Sequence, residues 1–170
     1  MSFDLNSSYF NQFLLLVRDH ATLLTFISVA LFALLRDDKA LRYAALCAAF
    51  YVIGYFSFPL IKQVDADLYV IRYIYWSLSD IVFMAILAFW ALKDKVYLWQ
   101  SVLAQLIVLP APIMQLFRLV DRHYLDLSYS TYLYKSILPL VNILTVILCF
   151  LPVMYLLKNR VNQLQVKDSV

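Results

Sequence analysis

The chain alternates long apolar runs with short charged interruptions. Five segments, approximately 13 to 35, 41 to 61, 69 to 92, 96 to 117 and 137 to 157, each supply the roughly 20 apolar residues that a helix needs to cross bilayer hydrocarbon. Between them lie RDDK, KQVDAD, KDK and one longer connection, RLVDRHYLDLSYSTYLYKS. The apolar runs are continuous, whereas strands of a membrane barrel alternate apolar and polar positions over about ten residues, so the pattern predicts helices. The expected fold is an all-α integral membrane protein: one domain over residues 1–170, a compact bundle of five transmembrane helices and no soluble domain. The first span is the least regular, because Arg18, Asp19 and His20 interrupt it.

Composition changes this picture little. With 64% hydrophobic and only 15% charged residues, lipid is the expected solvent. Fourteen basic residues against eleven acids leave no basic surplus of the kind that marks a nucleic-acid binder, so no nucleic-acid partner is expected. Cys47 and Cys149 each lie inside an apolar run, which predicts two small buried hydrophobes in place of a disulfide framework or a metal site. The opening MSFDLNSSYF has an acid and no Lys or Arg ahead of its first apolar run, so the first helix is expected to stay in the mature protein. Gly54 is the single glycine, leaving Ala, Ser and Thr to let helices approach one another.

Charge sets the expected direction. Eight basic residues (Arg36, Lys39, Arg42, Lys93, Lys95, Lys158, Arg160 and Lys167) and four acids fall on one side, and six basic residues and seven acids on the other. By the positive-inside rule the C-terminus is cytoplasmic and the N-terminus outside. Trp90, Tyr97, Trp99 and Tyr155 then form an inner aromatic belt, and Tyr55, Tyr69, Tyr73, Tyr132 and Tyr134 an outer one.

Candidate chemistry sits where polar residues enter the spans. Asp80 falls at the middle of the third span, where insertion of a carboxylate costs about 3 kcal/mol, so it is expected to face protein or water. At 100° per residue Arg72, Trp76, Ser79, Asp80 and Phe83 share one arc. In the fifth span Lys135, Asn142, Thr145, Cys149 and Pro152 form a polar stripe expected to face the bundle. Arg18, Thr22 and Thr25 align likewise in the first span, and the fourth reaches Gln115 and Arg118 beyond Pro110 and Pro112. The candidate polar intramembrane site is therefore Asp80, Arg72, Ser79, Trp76, Asn142, Thr145, Gln115, Arg118 and Arg18, an outward-facing hollow with Asp80 at its floor. The inner half is expected to be nearly all apolar, with Gln100 and Gln105 as the main exceptions.

Nucleophile and base pairs, H-E-x-x-H, Gly-rich phosphate loops and paired carboxylates are missing from the sequence, so neither catalytic residues nor a metal or cofactor is expected. Arg72, Tyr73, Trp76 and Ser79 form an R-Y-x-x-W pattern followed by a hydroxyl, which resembles the third helix of microbial rhodopsins over about eight residues. Tyr75 stands where that family has its counter-ion carboxylate, and Lys135 lies at the entrance of the last span instead of its middle, so retinal is not expected. The sequence thus points to a small non-enzymatic protein of a bacterial inner membrane. It is expected to act through homo-oligomerisation or as subunit, sensor, effector or immunity partner of another membrane protein. A proton- or cation-conducting channel or carrier using Asp80 is the first alternative, and an intramembrane lipid-modifying enzyme the second.

Overall fold

The computed structural model describes the backbone of residues 5–65, 70–125 and 128–168, and the side chains of 20–65, 70–124 and 130–156. Six α-helices follow one another: α1 (Leu5–Leu35), α2 (Asp38–Val64), α3 (Ile71–Leu92), α4 (Leu98–Val108), α5 (Pro110–Val120) and α6 (Ser128–Asp168). A π-helical turn, Asp121–Leu125, extends α5. Four stretches are long and apolar enough to cross a membrane, Asp38–Val64, Ile71–Leu92, Leu98–Tyr124 and Ser130–Leu156, and His20–Leu35 is a shorter apolar helix. The fold is the all-helical bundle expected of an integral membrane protein.

α4 and α5 make one span. Pro110 and Pro112 have no N–H to give the carbonyls four residues earlier, so the ladder is interrupted at Leu109, whose backbone nevertheless stays helical at φ −48° and ψ −40°. The buried face runs through the interruption without rotating: Gln100, Ser101, Ala104 and Val108, then Ala111, Pro112 and Gln115.

α1 packs on α2 and α6; α2 meets α3; α3 lies along α4 and α5; α6 closes the ring against α4 and α5 and also touches α2. Small residues help the first contact, since Ala21, Thr25 and Ser28 join Phe32 as the buried positions among the described side chains of α1, at helical spacing. Thr25 and Ser28 return their hydroxyl protons to carbonyls of their own helix, Thr22 and Thr25, at 2.8 and 2.7 Å. The principal core joins Tyr43, Leu46 and Cys47 of α2, Phe83 and Leu87 of α3, Ala104 and Val108 of α4, Ala111 of α5, and Val141, Leu148 and Cys149 of α6.

The long connection expected between the fourth and fifth spans is mostly helix. α5 and its π turn reach Leu125, and α6 begins at Ser128, nine residues before the expected span. Two of its polar residues meet a charge from α5: Asp121, fully buried, accepts from Arg118 and from Ser130 and so links the two helices.

Gly54 is not a required close approach. A Cβ built there meets the Trp76 ring at 3.5 Å, ordinary van der Waals contact. Gly54→Ala is therefore expected to raise stability by about 0.5–1 kcal/mol through reduced backbone entropy of the unfolded chain, read as a higher denaturation midpoint in detergent.

Candidate functional site

α3 carries a carboxylate, Asp80, near the middle of its span. Tyr73, Ser77, Phe83 and Leu87, the buried residues of α3, all lie within about 60° of Asp80 at 100° per residue. Ile74, Leu78, Ile81, Val82 and Phe89 cover the opposite, exposed side. Asp80 thus points into the bundle and remains half-buried. Trp76 one turn outward and Phe83 one turn inward flank it. Phe50 of α2 meets Phe83 edge-on, with centroids 5.3 Å apart, and Tyr75 donates to Ser57 at 2.7 Å, fastening α3 to α2. Tyr51 of α2 lies within electrostatic range of Asp80, and its hydroxyl donates to the Asn142 carbonyl of α6 at 3.1 Å. Inward along α2, Cys47 and Tyr43 follow at four-residue steps, buried against Cys149.

A second polar group occupies the outer end. Tyr134 of α6 donates to Gln115 of α5 at 3.1 Å and stacks edge-on against Tyr73, with centroids 5.8 Å apart. Arg72 and Arg118 both act electrostatically on Tyr134. Arg118 pairs with Asp121 at 2.6 Å. Next to this, Asp65 accepts from the backbone amides of Val70 and Arg72 at 3.0 and 2.9 Å and so caps the start of α3.

Gln100 and Gln105 are the polar exceptions expected in the inner half. Gln100 is fully buried and donates to the Leu148 carbonyl at 3.1 Å; Ser101 donates to the Leu87 carbonyl at 3.3 Å, and Gln105 to Ser101 at 3.1 Å. Leu148 has that carbonyl to offer because Pro152, four residues on, brings no N–H. The Tyr43 hydroxyl and the Gln100 side-chain carbonyl are buried without a hydrogen-bond partner among the described residues.

At the inner surface two turns are tied together. Asp37 caps α2 through the Ala40 amide and accepts from Tyr97, both at 3.0 Å; Lys39 pairs with Asp94 at 2.6 Å, and Arg42 donates to the Lys95 carbonyl at 3.2 Å. Burial, reinforced by the Asp37 bond, pushes the Tyr97 phenol up to about 12, so it stays a donor. Arg36 and Asp94 take positive φ, 54° and 52°, where the two turns reverse the chain.

The nine sequence-derived residues therefore divide. Arg72, Gln115 and Arg118 meet at the outer end. Asp80, Ser79 and Trp76 lie deeper, with Ser79 half-buried beside Asp80. Thr145 is buried in α6 and returns its hydroxyl proton to Val141 at 2.7 Å. Asn142 and Lys135, expected to face the bundle, are exposed, although the buried arc of α6, which runs from Leu148 through Thr145 and Cys149 to Val146, spans their direction. The Arg18 side chain lies outside the described residues. Tyr51, Asp121, Ser130 and Tyr134 enter the polar groups unforeseen; for Tyr51 the available signal was the four-residue spacing Tyr43, Cys47, Tyr51.

Comparison with family models, curated proteins and solved structures finds no match. Function must be read from the geometry.

Proposed function

We propose that this is a small non-enzymatic multi-pass protein of a bacterial inner membrane that acts by lateral contact with copies of itself or with another membrane protein. One observation carries the reading: its interior polar groups fasten its own helices. Tyr51 reaches α6, Tyr75 reaches α2, Gln100 and Tyr134 cross between the fourth span and α6, and Ser101 joins α4 to α3. Recognition then falls to the lipid-facing surface, where rings concentrate on the outer half of α2: Tyr55, Phe56 and Phe58 are exposed, the first two edge-on at 5.6 Å. Aromatic contacts of this kind are worth about 0.5–1.5 kcal/mol each. The N-terminus lies outside and the C-terminus in the cytoplasm, following the basic residues of the turns at Arg36–Arg42 and Lys93–Lys95.

Mass measurement in nanodiscs tests this reading. Wild-type protein is expected as an oligomer or with a co-purifying membrane partner, and Phe56→Ala with Phe58→Ala is expected to reduce that association; a monomer without a partner overturns it. In cells, an impermeant maleimide is expected to label a cysteine placed at position 4 and to spare one at position 94.

A second reading is favoured by Asp80 itself. It is a mid-bilayer carboxylate for which the described residues provide neither ion pair nor hydrogen bond, the situation of a site that takes up a proton or another cation.

A further inference from the structure

Asp80 differs from four acids whose charges the structure answers. Asp37 accepts from Ala40 and Tyr97, Asp65 from Val70 and Arg72, Asp94 pairs with Lys39, and Asp121 with Arg118 and Ser130. Asp80 lies nearer the middle of its span than any of these, and among the described residues no hydrogen bond or ion pair reaches its carboxylate.

The groups that face it are mainly rings. α2 brings Tyr51 near it, with Phe50 against Phe83 and Cys47 one turn further inward; the stretch from Leu98 to Phe117 in α4 and α5 contains no titratable residue. On its own helix, Arg72 is two turns outward, roughly 12 Å along the axis. Small hard cations need about six oxygen ligands, which this surrounding does not offer. A cation with an apolar body fits better, because aromatic faces attract it and its own hydrocarbon replaces water.

The outer half of α2 is its less buried half. The buried residues of α2 all lie between Ala40 and Ala48, whereas from Ala49 to Val64 the helix is half-buried or exposed, as is Asn142 across from Tyr51.

We propose that Asp80, flanked by Trp76 and Phe83 and faced by Phe50 and Tyr51, binds a monovalent organic cation, an ammonium or phosphonium bearing apolar groups, which enters from the outer half of the bundle. This rests on the second reading above and specifies its ligand class. A proton competes for the same carboxylate.

Equilibrium dialysis of radiolabelled tetraphenylphosphonium against purified protein in nanodiscs, at about pH 8, tests it. Saturable binding near one cation per chain is expected, weakened at least about tenfold by Asp80→Asn, retained by Asp80→Glu, reduced by Trp76→Leu, and weakened as pH falls. Helical circular dichroism and a single size-exclusion peak verify that each variant is folded. Absence of saturable binding to wild type, or equal binding to folded Asp80→Asn, overturns the proposal. The carboxylic C=O infrared band that differs between wild type and Asp80→Asn separates this from the parent reading. A band that titrates without phosphonium binding leaves Asp80 a proton site and removes the organic ligand; neither band nor binding removes both.

Discussion

Asp121→Ala is expected to destabilise the folded protein by about 3–5 kcal/mol, the cost of leaving a buried partner charge uncompensated. Asp121 is fully buried and the Arg118 side chain is 17% exposed, so little water replaces the lost carboxylate. Ser130, at the start of α6, also donates to that carboxylate, so the substitution frees both sides of the turn joining the fourth span to α6. Unfolding in detergent should show a lower midpoint with the transition first visible in α5 and α6 by hydrogen exchange. Arg118→Leu together with Asp121→Leu should be far milder than either alone, since no orphan charge remains. Equal losses in the single and double variants would mean that the cluster is effectively solvated.

The second large effect concerns Gln100. Its amide satisfies a carbonyl that Pro152 leaves free, so Gln100→Leu should cost at most about 1–3 kcal/mol, the penalty of the orphaned Leu148 acceptor less the relief of the Gln100 side-chain carbonyl, itself buried without a partner among the described residues. Pro152→Ala restores the N–H that Leu148 lacks, and in that background Gln100→Leu should cost little. The chemical denaturation midpoints of the four proteins measure the coupling directly, and strict additivity would show that Gln100 acts by packing alone.

Helix number and the inward direction of Asp80 were legible because each depends on one segment: twenty apolar residues define a span, and the arc opposite Ile74, Leu78 and Ile81 defines a face. Pairings between segments were not. Arg118, Asp121 and Ser130 read as a charged loop because their mutual neutralisation is invisible until α5 and α6 are placed side by side. The exposure of Asn142 was hidden for a related reason. A polar stripe gives a helix a preferred side, but which stretch of that side is covered depends on the four helices that pack against α6. Gln100 was legible as a polar residue of the inner half, but its partner, the Leu148 carbonyl, belongs to another helix and could not be read from one segment.

The link between the two inner turns bears on how the chain is made. Lys39 and Arg42 find their partners in residues 94 and 95, and Asp37 gains Tyr97 beside the Ala40 amide, so the clasp becomes possible once the fourth span starts to leave the ribosome. From that moment the first two hairpins share a common register while α6 is still to be synthesised. The last helix then arrives at a slot already framed on several sides, and its biogenesis is a docking event instead of a search.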